Sequence, residues 1–142
     1  MRLDMTSVAT RVCQLKRGLL SCSGEAAGLC QYCTRLFCSR HGVVLEDGQE
    51  VCSRRFCVAK RNDLAKHLLY KEAVLLRNEA SACGMEGCKR HLGGRCARCN
   101  GYFCGHHVEA REEMYLHNSV RLRRTSTLCR HCWARRPIWV RV

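Results

Sequence analysis

Cysteines and histidines with the same spacing occur twice in this 142-residue chain, the second copy 66 positions after the first. In each copy a lone cysteine is followed by CxxC-x4-C-xx-H, with a phenylalanine immediately before the last cysteine. The copies are Cys22, Cys30, Cys33, Cys38, His41 and Cys88, Cys96, Cys99, Cys104, His107. This is the spacing of zinc ligands, and its repetition indicates a structural task.

The remaining six cysteines flank these motifs and bring each copy to eight candidate ligands. They are Cys13, Cys52 and Cys57 in the first copy and Cys83, Cys129 and Cys132 in the second. Fourteen cysteines and two histidines fill four tetrahedral sites with no ligand left over, so the sequence predicts four Zn²⁺ ions per chain. His91, which forms a CxxH with Cys88, and His106, which adjoins His107, are alternative ligands. We expect solvated side chains at His67, His117 and His131.

The composition favours metal ions over disulfides as the stabilising element. Aromatic residues make up only 6% of the chain, and repeats of about 65 residues bury too little apolar surface to be stable alone. The N-terminal region contains no apolar run of signal-peptide length. We therefore expect an intracellular protein of the cytoplasm or nucleus, where thiols stay reduced. No segment has the ~20 apolar residues of a membrane span, so no membrane association is expected.

Short hairpins and one long helix are predicted around the ligand pairs. Apolar residues 43–45 lead into a turn with Gly48, and residues 114–116 lead into a His-Asn-Ser turn. The segment 58–80 lacks glycine and proline and is rich in helix formers, which predicts a helix. After Cys132 we expect only a short turn, because Pro137 would end a helix there.

Together these elements predict a small metal-stabilised α+β fold, in which two zinc-binding modules of knuckles and short hairpins are joined by a central helix. A knuckle, a hairpin and a ligand pair that opens a helix follow the order of a treble-clef zinc finger. The helix has a broad apolar face, which either packs against both modules or binds a protein partner or a second copy. The expected boundaries are 10–57 for the first module with two zinc ions, 58–80 for the linking helix, 81–136 for the second module with two zinc ions, and 137–142 for a basic tail.

The strings CQYCTRLFCSRH and CARCNGYFCGHH resemble the middle of the AN-one type zinc finger of stress-associated proteins. That family has a close cysteine pair, four residues ending in an aromatic, and then Cys-xx-His. The matching residues are Cys33, Phe37, Cys38, His41 and Cys99, Phe103, Cys104, His107. Outside this core the chain departs from the family, whose first pair is a tight CxxC and whose last ligands are a closely spaced His and Cys. The last pairs here are more similar to the cross-brace of RING and B-box domains.

The resemblance to a cross-brace implies a specific pairing of the ligands. In such a brace the first and third pairs share one metal ion, and the second and fourth pairs share the other. The implied sets are Cys13, Cys22, Cys38, His41; Cys30, Cys33, Cys52, Cys57; Cys83, Cys88, Cys104, His107; and Cys96, Cys99, Cys129, Cys132.

A second chemical pattern lies in the segment 121–142, which contains seven arginines, both tryptophans and no acidic residue. Guanidinium groups bind phosphates and exposed indoles stack on bases, so this segment predicts a surface for nucleic acid, with single-stranded RNA favoured. The candidate contacts are Arg121, Arg123, Arg124, Arg130, Arg135, Arg136, Trp139 and Arg141. Alternatively, Trp133 covers a zinc site and Trp139 packs against its own domain.

The formal net charge of the whole chain is +13. It falls when thiolates and zinc ions are counted, but it stays positive, which favours an anionic partner.

The sequence predicts a protein without catalytic activity. Each predicted zinc site has four protein ligands, whereas a catalytic zinc ion keeps an open position. No HExxH, phosphate-loop, dinucleotide-binding or nucleophile-elbow motif occurs in the chain. No small-molecule substrate is expected either.

Three functions remain compatible with these patterns. The first is a basic zinc protein that binds nucleic acid. In size and composition the chain resembles the small cysteine-rich accessory proteins of plant RNA viruses, and this resemblance implies an RNA-binding protein or a suppressor of RNA silencing. The second is a RING- or B-box-like protein-interaction module, a ubiquitin ligase or ubiquitin binder, with Leu19, Leu20 and Leu29 as its apolar patch. The third is a structural subunit of a ribonucleoprotein assembly.

Overall fold

A computed structural model describes residues 11–140 of the chain, so that Arg141 lies outside the described residues. The chain divides into two compact units between Asn62 and Asp63. In the described range the protein is a small α+β structure with two helices and a series of two-stranded antiparallel hairpins. The predicted fold class is therefore confirmed at the level of its secondary structure.

The first unit contains three short hairpins that follow one another along the chain. The third hairpin agrees with the prediction for residues 43–51, and Gly48 adopts a φ of 83° in its turn, a conformation that suits glycine. The strands are β1 (Lys16–Arg17), β2 (Leu20–Ser21), β3 (Gly28–Leu29), β4 (Leu36–Phe37), β5 (Gly42–Val44) and β6 (Glu50–Cys52).

The first helix, α1, spans Arg55–Glu79. It begins three residues before the predicted start at 58, because the ligand Cys57 lies inside its first turn. The helix lacks interior glycine and proline, as the prediction required, and its last turn carries Arg77, whose cationic side chain suits the negative end of the helix dipole.

The described part of the second unit contains two hairpins, which correspond to the last two hairpins of the first unit, and the second of them is much longer. Its strands are β7 (Gly94–Arg95), β8 (Tyr102–Phe103), β9 (Val108–His117) and β10 (Val120–Cys129). The turn between β9 and β10 places Asn118 and Ser119 at φ values of 49° and 65°, which is typical of a type I′ hairpin turn. The predicted hairpin is confirmed, but each of its strands is ten residues long rather than three.

The second helix, α2, spans Arg130–Val140, so the prediction that Pro137 would prevent a helix after Cys132 is wrong. A proline inside a helix removes one backbone hydrogen bond and costs about 3 kcal/mol. Side chains on both sides of the proline, Arg135 and Trp139, bond to the same buried carboxylate of Asp63. These tertiary contacts offset the cost.

The sequence repeat is also a repeat of the backbone. The strands β3 and β4 recur as β7 and β8 at the same 66-residue offset, and Thr34 and Asn100 share positive φ values of 58° and 62°. Phe37 and Phe103 are fully buried, each in a core made largely of cysteines. A Cβ on Gly28 would lie 2.6 Å from the Phe37 ring, so this position requires glycine.

Candidate metal centres and basic surface

The sixteen predicted ligands lie in four clusters of four. Within each cluster the Sγ and imidazole nitrogen atoms all lie within 4.8 Å of one another. The clusters are Cys13, Cys22, Cys38, His41; Cys30, Cys33, Cys52, Cys57; Cys83, Cys88, Cys104, His107; and Cys96, Cys99, Cys129, Cys132. These are the sets that the cross-brace resemblance implies.

The spacing of the donor atoms fits a tetrahedral ion of the size of zinc. Sulfur ligands at about 2.3 Å from such an ion lie about 3.8 Å apart, and a sulfur and a nitrogen lie about 3.6 Å apart. The sulfur–sulfur distances are 3.7 to 3.9 Å, and the distances from Sγ to Nδ1 of His41 and His107 are 3.2 to 3.4 Å. All fourteen cysteines are free thiols. The clusters are therefore suitable for metal ions and have a donor set that zinc favours.

Secondary structure places the last ligand pair of each unit in the same way. Cys52 is the last residue of β6, and Cys57 is the third residue of α1. In the second unit Cys129 is the last residue of β10, and Cys132 is the third residue of α2. A strand end and the first turn of the following helix thus supply two ligands to one cluster in both units.

Backbone and side-chain donors surround the thiols of the second unit. The backbone N–H groups of Cys104 and Gly101 donate to the sulfurs of Cys83 and Cys99 at 3.2 and 3.4 Å. The Tyr70 hydroxyl donates to Cys129 Sγ at 3.4 Å. Such outer contacts stabilise thiolates and orient them toward a metal ion.

The other histidines take no part in the clusters found among residues 11–140. His91 and His106, the alternative ligands, have exposed side chains. The expectation that His67 is solvated is wrong, because only 8% of its surface is exposed. Its ring lies against that of His131, and their nitrogens are 3.1 Å apart. Burial, together with the charge of Arg135, lowers the pKa of His67 to about 4, so this histidine is neutral at physiological pH.

One buried carboxylate organises the end of α2. Asp63 in α1 accepts hydrogen bonds from Arg135 Nε and Nη2 at 2.9 and 2.7 Å and from Trp139 Nε1 at 2.6 Å, all on one oxygen. Burial alone would raise the pKa of Asp63, but these donors outweigh burial and hold it below its usual range. Two of the predicted nucleic-acid contacts therefore have a structural role in the second unit.

A second buried carboxylate, Glu113 in β9, holds two further arginines. Arg98 Nη2 lies 2.8 Å from one of its oxygens, and Arg124 Nε lies 3.3 Å from the other. Burial opposes ionisation, but the arginines and the Ser126 hydroxyl outweigh it and lower the pKa of Glu113. Nearby, the guanidinium groups of Arg136 and Arg111 lie 3.7 and 4.9 Å from the Trp133 ring centre.

The structure thus adds two arginines to the predicted basic segment. Arg98 comes from the knuckle between Cys96 and Cys99, and Arg111 comes from β9. Sequence reasoning missed both because they lie outside the contiguous arginine-rich segment. The predicted residues Arg121, Arg123 and Arg130 have exposed side chains.

Comparison of the chain with known protein families, with curated proteins and with solved structures finds no match. Neither helix in the described part of the chain is long and apolar enough to cross a membrane. The interpretation of this protein therefore depends on its own residues.

Proposed function

We propose that this chain is a non-catalytic zinc-binding protein whose basic surface binds nucleic acid, with RNA favoured. The observation that carries the proposal is a set of arginines from four elements of the second unit, which contact the Trp133 ring of α2 or the buried carboxylates of Glu113 and Asp63. They come from the knuckle, β9, β10 and α2, and they are Arg98, Arg111, Arg124, Arg135 and Arg136.

Zinc is the metal proposed for the four clusters. Two clusters have four thiol donors and two have three thiols and an imidazole, which are the donor sets of structural zinc sites. Four protein ligands leave no open position for a substrate or an activated water, which supports a structural role. The ions would stabilise two units whose cores contain few apolar side chains other than cysteine.

Polyanion binding follows from charge and from arginine geometry. The chain has a formal net charge of +13, and guanidinium groups bind phosphate oxygens with two parallel hydrogen bonds. Arg121 and Arg123 lie on one face of the long β9–β10 hairpin, and Arg130 begins α2. RNA is favoured over duplex DNA because aromatic and guanidinium planes accompany the charges, and the unpaired bases of RNA can stack on such planes.

The test is the salt dependence of RNA binding by the metal-loaded protein. Affinity for a single strand should fall linearly with the logarithm of salt concentration, with a slope of about 0.7 per phosphate contacted. Replacing Arg121 and Arg123 by alanine together should weaken binding to all sequences and reduce the slope by about one to two units.

The matched control is the double variant Arg35→Ala and Arg40→Ala, which removes two exposed arginines from the first unit. It should leave the slope close to that of the unchanged protein. A wild-type protein that binds no RNA at low salt would refute the proposed function. Equal effects of the two double variants would refute the assignment of the RNA surface to the second unit.

A second candidate function, a RING- or B-box-like protein-interaction module, is favoured by exposed leucines in the first unit. Leu19 and Leu20 at the β1–β2 turn are 101% and 76% exposed, and Leu29 is 48% exposed. Ubiquitin transfer with conjugating enzymes would test it. Activity that is lost in Leu19→Ala would favour this function over RNA binding.

The compositional similarity to plant RNA virus proteins extends the RNA proposal to an accessory role, such as suppression of RNA silencing. A silencing-reporter assay tests this role. Suppression that is unaffected by the Arg121→Ala, Arg123→Ala double variant would show that the arginine surface is not its basis.

A further inference from the structure

Helix α1 has an apolar side that the core of the second unit does not bury. Val74 lies in that core, and Tyr70 packs against it. Four leucines of the same helix are instead more than half exposed, and they are Leu68, Leu69, Leu75 and Leu76. Contiguous exposed apolar surface of this kind marks a site of interaction with another molecule.

Two of these leucines line a groove in the second unit. Leu68 and Leu75 line it from α1, and Leu92 and Tyr102, which are also exposed, line it from the segment 92–102. The volume of the groove is about 770 Å³. An apolar groove along a helix accepts an apolar ridge of another helix. We name it the α1 groove.

The other two leucines form a ridge beside the groove. Leu69 and Leu76 each follow a groove leucine by one residue, which places them about 100° further around the helix, and neither lines the groove. The two ridge leucines and the two groove leucines share a spacing of seven residues, which is about 10.5 Å along the helix axis. A two-fold axis between two copies can therefore place the ridge of each copy in the groove of the other, with both contacts in register.

The charges of the groove favour a second copy as its occupant. Among the described residues, the charged side chains that line it are Lys71, Glu72 and Glu79, so acids outnumber bases here although the chain has a formal net charge of +13. Exposed carboxylates repel a polyanion, so RNA is not the expected occupant. Two basic chains repel each other least where they meet through an acidic surface. A symmetric contact also brings a lysine and two glutamates from each copy to one interface, where opposite charges can pair.

We propose that α1 forms a homodimer interface, in which the leucine ridge of each copy packs in the α1 groove of the other. The inference does not depend on RNA binding. The apolar part of this interface has six side chains per copy, namely the four leucines of α1, Leu92 and Tyr102. A standard interface has about 20–30 residues a side, so this dimer is a weak one that dissociates at micromolar concentrations.

The experiment is analytical ultracentrifugation of the metal-loaded full chain from about 1 to about 500 μM, a range that covers weak association. The average mass should rise from that of one chain toward that of two. Leu76→Glu should raise the dimer dissociation constant at least about tenfold, because the symmetric interface would then bury two unpaired carboxylates. The matched control is Leu116→Glu, which adds the same charge at an exposed leucine of β9 and should leave the constant unchanged.

A mixing experiment tests the packing of ridge into groove. The ridge variant carries Leu69→Glu and Leu76→Glu, and the groove variant carries Leu68→Lys and Leu75→Lys. Each variant alone should be monomeric. An equimolar mixture should dimerise, because one contact then has leucines on both sides and the other pairs glutamates with lysines. A mixture that stays monomeric, although both variants keep their metal ions, would overturn the inference.

Three other results would also overturn it. Wild-type protein that is monomeric at the highest concentration leaves the leucine face to a different protein. A dimer that persists unchanged in folded Leu76→Glu is held by another surface. Salt should tighten an apolar dimer of basic chains by screening their repulsion, so a dimer that salt dissociates has a different basis. If circular dichroism or metal content shows that Leu76→Glu does not fold, Leu69→Glu takes its place.

Discussion

The hydrogen bonds to Asp63 predict that this one carboxylate holds the C-terminal half of α2 in place. Three N–H groups from Arg135 and Trp139 converge on one oxygen of Asp63. Arg135 precedes Pro137 and Trp139 follows it, so the bonds span the point at which the helix lacks a backbone hydrogen bond. Asp63→Ala removes all three acceptor contacts without adding bulk.

The expected loss of stability is about 2–4 kcal/mol. Breaking a fully buried ion pair by removing one partner costs about 3–5 kcal/mol, because the other charge is left buried without compensation. The Asp63 and Arg135 side chains are 9% and 16% exposed, so water reaches the remaining guanidinium in part and reduces the cost. The Trp139 N–H also loses its acceptor, which adds about 1 kcal/mol or less because the ring is partly exposed.

The assay is urea unfolding of the metal-loaded protein at a fixed free zinc concentration, followed by tryptophan fluorescence, since both tryptophans lie in α2. Amide hydrogen exchange should also accelerate in residues 134–140. The control is Glu72→Ala, which removes an exposed carboxylate from the same helix and should change stability by less than about 0.5 kcal/mol. An Asp63→Ala protein as stable as this control, with unchanged exchange in α2, would refute the reasoning.

Three further predictions concern the metal centres and the core. Purified protein should contain close to four zinc ions, and a chelator or acid should unfold it, because cysteine thiols must lose their protons to bind zinc and the binding energy stabilises the fold. Metal analysis and circular dichroism measure the zinc content and the loss of structure. His107→Ala should lose one metal ion per chain, whereas His91→Ala should retain all four, and the reverse result would overturn the ligand assignment. Gly28→Ala should destabilise the first unit by about 1–3 kcal/mol, because its methyl group would lie 2.6 Å from the Phe37 ring. The control is Gly105→Ala, whose methyl group would meet nothing within 4 Å. Equal urea unfolding midpoints for the two variants would contradict this prediction.

The ligand clusters could be predicted from sequence because metal ligation constrains residue type and spacing locally. A CxxC turn and a Cys-xx-His turn place their two donors side by side, so the spacing alone defines four ligands in each repeat. The long helix was predictable for a similar reason, because its residues have helix propensity and lack breakers. The start of α1 was missed by three residues, since Cys57 serves both as a ligand and as part of the first turn.

Features that depend on contacts distant in sequence could not be predicted. Helix α2 continues past Pro137 because Asp63, more than 70 positions earlier, binds side chains on both sides of the proline. Arg98 and Arg111 join the proposed RNA surface only because Glu113 and Trp133 lie beside them in space. His67 is buried for the same kind of reason, since α2 brings His131 against it.

The four-cysteine centre of the second unit connects metal binding to the proposed RNA surface. Cys96 and Cys99 flank Arg98, and Cys132 lies in the first turn of the helix that carries Arg136 and Trp139. Removal of a metal ion from this cluster would therefore free the elements that carry these arginines. It would also raise the net charge, because the released thiolates take up protons and fourteen thiolates had carried more negative charge than four divalent ions carry positive charge.

These two effects of zinc removal act in opposite directions on RNA affinity, which makes the metal dependence of binding decisive. If binding required only positive charge, the chelated protein would bind RNA at least as tightly as the loaded protein. If binding requires arginines and Trp139 in fixed positions, chelation should lower the affinity although it raises the charge. Titration of RNA at constant ionic strength, with and without a chelator, measures the difference. Tighter binding by the zinc-free chain would show that the folded surface of the second unit is not the RNA site.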